Sequence, residues 1–76
     1  MKYRINVSKL EKRNDRMSHV YVFHTIQDGI YSAQRAYYEI KDKFPGSQYS
    51  VTFEVWENRG KEVDADEYFE NLFRKS

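Results

Sequence analysis

The sequence predicts a small α+β domain with the element order β-β-α-β-(β)-α, and three patterns carry this prediction. Residues 2–10 and 49–56 alternate apolar and polar side chains with period two, as half-buried strands do. Residues 28–44 place apolar side chains on one stripe of a helix, and residues 64–75 repeat such a stripe over a shorter length. We therefore expect a mostly antiparallel sheet of three or four strands, with helix 28–44 packed on one face and a short C-terminal helix.

Length and composition bound the kind of protein. Seventy-six residues suffice for a single domain, 1–76, with one small core, so both a monomer and a homodimer are open. The chain has no cysteine, which excludes disulfides, thiolate metal sites and a cysteine nucleophile. No apolar run follows the charged residues near Met1, and no stretch approaches the roughly 18 apolar residues of a membrane span. We expect a cytoplasmic protein that does not contact a membrane.

The first two strands are predicted to form a β-hairpin. Alternation in the first strand directs Tyr3, Ile5 and Val7 toward the core. Residues 9–18 are mostly polar, and Asn14-Asp15 in their middle favours a turn. The sequence therefore predicts a hairpin whose polar tip carries several basic side chains.

The register of this hairpin is ambiguous, because the second strand, His19 to Ile26, carries apolar side chains on both faces. We expect the register that turns Val20 and Val22 toward the core and leaves Tyr21 and Phe23 on the opposite face. A slip of one residue would exchange the two sets. The expected pairs are Ile5 with Val22 and Val7 with Val20.

The first helix has a clear apolar stripe and a clear end. Thr25 or Asp28 is the expected N-cap, and Pro45-Gly46 stops the helix because proline cannot continue it. A crossover through this helix makes the third strand parallel to the second, with the first strand between them in the order 2-1-3. The stripe consists of Ile30, Ala33, Tyr37, Ile40 and Phe44.

The C-terminal third holds the remaining elements. Trp56 ends the third strand on the face opposite to the core, and Glu62-Val63 is expected to return as a short fourth strand. Asp64 followed by Glu67 resembles a capping box at the start of the second helix. This helix could pack beside the first, cover the far face of the sheet, or dock onto another subunit. Its apolar stripe consists of Ala65, Tyr68, Phe69, Leu72 and Phe73.

Charge is distributed unevenly along the chain. Residues 1–24 hold six Lys or Arg against two acidic residues, whereas residues 47–76 hold four against seven. The molecule is dipolar if these two parts lie apart in space, and neutralised if they lie side by side. The basic side chains predict one alternative function, the binding of nucleic-acid phosphates by the hairpin together with sheet-face aromatics. The residues of this alternative are Arg4, Lys9, Lys12, Arg13 and Arg16.

Protein binding is the function we expect. Aromatic residues make up 17% of the chain, and a core this small cannot bury all seven tyrosines. Tyrosine, tryptophan and arginine also dominate the energetics of protein interfaces. Two surfaces qualify, one on the outward face of the first helix and one on the sheet. Their residues are Tyr31, Arg35 and Tyr38 on the helix, and Tyr21, Phe23 and Trp56 on the sheet.

The sequence lacks the motifs that are typical of catalytic, phosphate-binding or metal-binding sites. It has no Gly-rich phosphate loop and no Ser, His and Asp set in a motif context. His19 and His24 are five residues apart in a strand, which predicts opposite faces, and the acidic residues of 62–70 lack calcium-loop spacing. We expect no enzyme activity, no cofactor and no metal. The expected function is that of a small regulatory or inhibitor protein, such as a mobile element encodes, which blocks a site on a protein partner.

Overall fold

The computed structural model describes residues 1–57 and 59–74 and contains one four-stranded sheet and two helices. The strand order is β2-β1-β3-β4 and every neighbouring pair is antiparallel. The predicted element order and the 2-1-3 arrangement of the first three strands are therefore confirmed. The elements are β1 (Lys2–Arg13), β2 (Arg16–Asp28), α1 (Ile30–Lys43), β3 (Tyr49–Trp56), β4 (Gly60–Val63) and α2 (Ala65–Phe73).

The hairpin between β1 and β2 is longer and tighter than predicted. Both strands extend to a two-residue turn at Asn14 and Asp15, whose φ angles are 50° and 64°. Two consecutive positive φ angles characterise a type I′ turn, whose twist matches that of the paired strands, and Asn and Asp tolerate this region. Lys9 and Lys12 consequently lie within β1 and not in a loop.

The predicted hairpin register is wrong. Counting back from the Arg13–Arg16 pair, the ladder is regular as far as Ser8 and Tyr21, and then Val7 pairs with Phe23. Val22 is the extra residue of a β-bulge, which shifts all later pairs by one. Phe23 therefore faces the core beside Phe44, at 5.4 Å between ring centroids, while Val22 is 40% exposed. The observed pairs are Ile5 with Thr25 and Val7 with Phe23.

Helix α1 lies on one face of the sheet, as its stripe predicts, and supplies Ala33, Tyr37 and Ile40 to the core. Its N-cap is Gly29 with a φ of 101°, not Thr25 or Asp28, because β2 continues through Asp28. A positive φ is accessible to glycine without steric cost, so Gly29 permits a direct passage from strand to helix.

Helix α2 packs beside α1 on the same face of the sheet. Phe69 of α2 lies 5.9 Å from the ring of Tyr37 and 5.2 Å from that of Phe53. The Asp64 carboxylate accepts a hydrogen bond from the Glu67 backbone N–H at 3.2 Å, which confirms the predicted cap. Leu72 is 44% exposed and does not join the buried stripe of α2. The core residues are Tyr3, Ile5, Val7, Ala33, Tyr37, Ile40, Phe53, Ala65 and Phe69.

The architecture is a two-layer sandwich in which both helices cover one face of the sheet. We call the face of the sheet that the helices cover the inner face, and the opposite face the outer face. Among the helices in the described part of the chain, none is long and apolar enough to cross a membrane.

Candidate functional site

The outer face is the candidate site, because large apolar side chains are exposed there although both helices pack elsewhere. Alternate residues of each strand point to it, so in β1 Lys2, Arg4 and Asn6 are outside while their neighbours are buried. Ile26 on β2 is 58% exposed and Trp56 on β3 is 37% exposed. Residues from three adjacent strands therefore combine into one surface.

The aromatic excess of the chain is used mostly by the inner face. The sequence contains seven Tyr, five Phe and one Trp, and all of them except Tyr21 and Trp56 lie on the helix side of the sheet. Most of these rings contact one another, with Phe53 and Phe69 at the centre of the cluster. The composition therefore points to an aromatic core more than to an aromatic surface.

The three aromatics predicted as a sheet-face site are not brought together. Phe23 lies on the inner face, where it packs against Phe44. Tyr21 pairs with Ser8 and Trp56 pairs with Lys2, so they are six positions apart along β1 and on opposite sides of it. At about 3.3 Å per residue, this offset separates Tyr21 from Trp56 by about 20 Å.

A shallow depression of about 150 Å³ on the outer face lies between Trp56 and Ile26. Lys2 and Arg4 of the intervening strand complete its lining. Its walls are mainly apolar, while the two cations lie between the apolar side chains of the flanking strands. Ile26 and Lys2 were missed in the sequence, because their position beside Trp56 follows only from the strand register.

Gly60 on the edge strand β4 makes room for the Trp56 side chain. The two residues are paired across β3 and β4. A Cβ atom built on Gly60 would lie 2.5 Å from two carbon atoms of the indole and 2.7 Å from a carboxylate oxygen of Glu54. The indole therefore lies over Gly60, which fixes the ring at one side of the depression.

Arg4 is held in place by a chain of polar side chains across β1 and β3. Its Nε donates a hydrogen bond to Asn6 Oδ1 at 2.7 Å. The Asn6 side-chain amide in turn donates to Thr52 Oγ1 at 3.3 Å and to Glu54 Oε2. Because its side chain is anchored through Nε, the guanidinium is held beside the depression.

Tyr21 and His24 form a second small cluster on the outer face, nearer the hairpin. The Tyr21 hydroxyl and His24 Nδ1 are 2.7 Å apart, and both residues are exposed. His19 pairs with Leu10 and His24 with Asn6, so the bulge between the histidines puts both on the outer face. The prediction that they lie on opposite faces is wrong.

The helix surface predicted from Tyr31, Arg35 and Tyr38 is partly occupied by α2. The Tyr38 hydroxyl donates a hydrogen bond to Asp66 Oδ1 at 3.1 Å, and the Tyr38 ring lies 5.9 Å from that of Phe69. Burial, followed by the bond to Asp66, raises the pKa of Tyr38. Tyr31 is 75% exposed and lies 5.7 Å from the ring of Phe73. These contacts give both tyrosines a structural role at the junction of the helices.

The basic hairpin projects beyond the body of the protein. β3 begins at Tyr49, opposite Lys9, so residues 10–19 form a two-stranded ribbon past the end of β3. The Glu11 carboxylate lies 3.1 Å from an Arg13 nitrogen and 4.0 Å from Lys9 Nζ. Lys12 points to the outer face and the other basic residues of the ribbon to the inner face. The ribbon accounts for part of the molecule's longest dimension of 48 Å.

The basic ribbon and the acidic first turn of α2 lie at opposite ends of the molecule, whereas Arg4 pairs with Glu54 across β1 and β3. α2 carries acidic residues in its first turn, and its Tyr68 contacts Tyr3 near the start of β1. The ribbon lies at the other end of β1. The structure therefore supports the dipolar alternative. Within residues 1–57 and 59–74, no group of three or more His, Asp or Glu residues could hold a metal ion.

The chain matches no protein-family model, no curated protein and no solved structure. The chemistry of its own surfaces is therefore the basis for any functional proposal.

Proposed function

We propose that the protein is a non-enzymatic binding module that holds a protein partner against the outer face of its sheet. The observation that carries the proposal is the depression between Trp56 and Ile26, with Arg4 oriented beside it. Folding explains the apolar side chains of the inner face, and Trp56 packs in part over Gly60, but folding gives no reason for an isoleucine that is 58% exposed on the outer face.

The residue types at this depression are those that contribute most to protein–protein binding. Tryptophan and arginine are enriched among hot spots, and a preoriented side chain loses less entropy on binding. Trp56 is fixed over Gly60 and Arg4 is fixed by Asn6, so both are preorganised. The α1 surface around Tyr31 and Tyr38 is the weaker choice, because α2 already contacts both tyrosines.

We extend the proposal to a cytoplasmic regulatory or inhibitor protein, such as a mobile element encodes, which acts by occupying a site on its partner. A chain without cysteine suits a reducing compartment. The exposed apolar side chains suit a partner that presents a convex apolar group, and the cations suit one with a carboxylate beside that group.

The test compares two matched double variants. Replacing Arg4 and Trp56 by alanine removes an arginine and an aromatic from the outer face, and replacing Arg35 and Tyr31 by alanine removes the same types from α1. We expect nuclease-treated lysate of the source organism to yield a protein captured by wild type and by Arg35→Ala/Tyr31→Ala. Arg4→Ala/Trp56→Ala should bind this protein at least about tenfold more weakly.

The opposite ranking of the two variants would place the partner on α1. Circular dichroism and the thermal midpoint of each variant check that the fold is intact, which matters because Trp56 also packs on Gly60.

A second candidate function is nucleic-acid binding by the basic ribbon, and its support is the projection of residues 10–19 from the body. A two-stranded β-ribbon fits the major groove of duplex DNA. Lys9, Lys12, Arg13 and Arg16 lie along it, with Arg4 further along the sheet. Labelled duplex and single-stranded probes should then bind with an affinity that falls steeply with salt. Binding that is equal after Lys12, Arg13 and Arg16 are all replaced by serine would refute this candidate.

A further inference from the structure

The two edges of the sheet differ in how they are protected against pairing with another strand. β4 forms one edge, has four residues and carries Lys61 and Glu62. β2 forms the other edge and has thirteen residues. Short length and charge are two of the devices by which proteins block edge-to-edge pairing. β4 has both of these devices, so the contrast concerns β2.

Edge strand β2 lacks the usual protection over most of its length. From Met17 to Gln27 it contains no Lys, Arg, Asp, Glu, Pro or Gly. Its middle is built from β-branched and aromatic residues, which have the highest strand propensity. In the described part of the chain, only β1 pairs with it, so the outward ladder of backbone donors and acceptors is open. The bulge at Val22 is the one protective device in this stretch, and it interrupts the ladder at a single position.

We propose that β2 pairs antiparallel with β2 of a second copy of this chain, which joins two sheets into one of eight strands. The proposed two-fold axis passes between Tyr21 and Val22. In this register the two bulges meet at the axis, so neither bulge interrupts the ladder elsewhere. The pairing uses the edge of the sheet and goes beyond the function proposed for the outer face, with which it shares Ile26.

The register is chosen by the faces of the side chains. The bulge reverses the alternation, so outer-face residues before it have odd numbers and those after it have even numbers. In an antiparallel pairing of two copies, the two residue numbers of every pair add up to the same value, which identifies the register. An odd value sets outer-face residues before the bulge opposite outer-face residues after it, and does the same for the inner face. A sum of 43 sets Met17 opposite Ile26 of the second copy on the outer face. It also sets Val20 opposite Phe23 of the second copy on the inner face.

These pairs bury the apolar side chains that β2 leaves open. Met17 is 62% exposed and Ile26 is 58% exposed, and they would contact each other twice in the dimer. A sum of 45 would set Met17 opposite Asp28 and Val20 opposite Thr25, which pairs apolar with polar. The register with a sum of 43 is therefore favoured, since apolar cross-strand pairs stabilise a sheet.

A groove on the inner face supports a second copy as the occupant. It has a volume of about 400 Å³ and lies between α1 and β2 at the open edge. Its apolar lining includes Phe23, Ile40 and Phe44. Val20 of the second copy, opposite Phe23, would lie at the open side of this groove. Residues 17–27 carry no Lys, Arg, Asp or Glu, so no such charges are opposed along this stretch, and the like-charge pair of the register is Asp15 with Asp28 of the second copy at its two ends.

The test introduces charges into the proposed interface and measures the dissociation of the dimer. The purified protein is followed by sedimentation across a dilution series. In the variant Met17→Glu/Ile26→Glu, the glutamate at position 17 of each copy would lie opposite the glutamate at position 26 of the other, so that one pair of like charges forms on each side of the two-fold axis. In its own chain each glutamate would lie beside a basic residue of β1, Lys12 or Arg4, so the monomer fold is not threatened. Met17→Glu/Ile26→Lys restores opposite charges across the copies. Within one chain the two positions are nine residues and about 30 Å apart, too far to pair.

We expect wild type to have twice the 9.3 kDa chain mass at about 100 µM and to dissociate on dilution. The Glu/Glu variant should dissociate at least about tenfold more readily, and the Glu/Lys variant should return to within about threefold of wild type. Monomeric wild type at about 100 µM overturns the proposal. A Glu/Glu dimer as stable as wild type overturns it too, as does failure of the Glu/Lys variant to recover. Since no partner protein is needed, these outcomes are independent of the capture experiment on Arg4 and Trp56.

Discussion

The inner and outer faces of the sheet are built by the same four strands, yet their apolar side chains differ in how far other elements of the chain bury them. On the inner face Tyr3, Ile5, Val7 and Phe53 are at most 4% exposed, and each contributes to a core shared with α1 and α2. On the outer face Ile26 is 58% exposed, and no described helix packs over it.

This difference separates residues that fold the protein from residues that need another explanation. Burial of apolar area is the main favourable term in folding, so every large side chain of the inner face stabilises the domain. An exposed side chain such as Ile26 gains little of this free energy in the isolated chain. Its presence on an uncovered face therefore supports the proposal of a partner, whereas the presence of Tyr37 or Phe69 does not.

The largest expected effect is a difference in stability between two isoleucine variants, one from the core and one from the outer face. Ile40→Ala removes a core side chain that is 8% exposed, and the cavity left behind should lower the free energy of unfolding by about 2–4 kcal/mol. Ile26→Ala, the same deletion on the outer face, should cost about 1 kcal/mol or less. Urea denaturation of both variants in dilute solution measures the difference. Equal losses for the two variants would contradict the assignment of the faces.

An intermediate effect is expected from pH, through a tyrosine of the inner face. Burial, and then the hydrogen bond to Tyr68 at 3.3 Å, raises the pKa of Tyr3 from 10.0 to about 12. Because the unfolded chain ionises first, the stabilisation is complete below pH 10 and is lost as pH rises from 10 toward 12. The loss attributable to Tyr3 should reach at most about 2–3 kcal/mol.

The matched control for this pH dependence is Tyr3→Phe, which keeps the ring but removes the ionisable hydroxyl. Chemical denaturation at pH 8, 10 and 11 should give a smaller loss of stability with rising pH for the variant than for wild type. Burial also raises the pKa of Tyr37, so part of the alkaline destabilisation should persist in the variant. Identical pH profiles for variant and wild type would show that the Tyr3 hydroxyl is not buried.

Elements with one apolar face could be predicted from the sequence. In β1, Tyr3, Ile5 and Val7 alternate with polar residues, so the period identifies both the strand and its buried face. In α1, Ala33, Tyr37 and Ile40 have helical spacing, and Pro45 fixes the end of the helix. Since these patterns are local, the order of the elements and the layering of α1 on the sheet followed from them.

The register of β2 could not be predicted in the same way. Val20 through Phe23 are all apolar, so either alternate set could face the core. The choice depends on a turn at Asn14-Asp15 and a bulge at Val22, and a bulge has no residue signature in this sequence. The error carried over to the candidate site, because it placed Phe23 on the outer face.

The docking of α2 was left open by its sequence, because an amphipathic helix can bury its stripe against any apolar surface. Its position brings Asp66 and Phe69 against Tyr38, which stays 46% exposed, and leaves the outer face uncovered. The outer-face depression combines Ile26 and Trp56 from strands on either side of β1. Such a site depends on long-range pairing, which periodicity along the chain does not reveal.

The smallest expected effect concerns the ribbon, which belongs to neither covered face. Replacing Lys12, Arg13 and Arg16 together by serine should change the free energy of unfolding by about 1 kcal/mol or less, because exposed charges contribute little to stability. Arg13 does lie 3.1 Å from Glu11, but its side chain is 69% exposed and solvent screens the pair. Residues 10–19 lie beyond β3 and both helices, so they contribute little to the core. Thermal and urea denaturation of the triple variant measure the change. A variant that fails to fold would mean that the ribbon packs against the body. The division between a folded core and uncovered surfaces would then not extend to this end of the molecule.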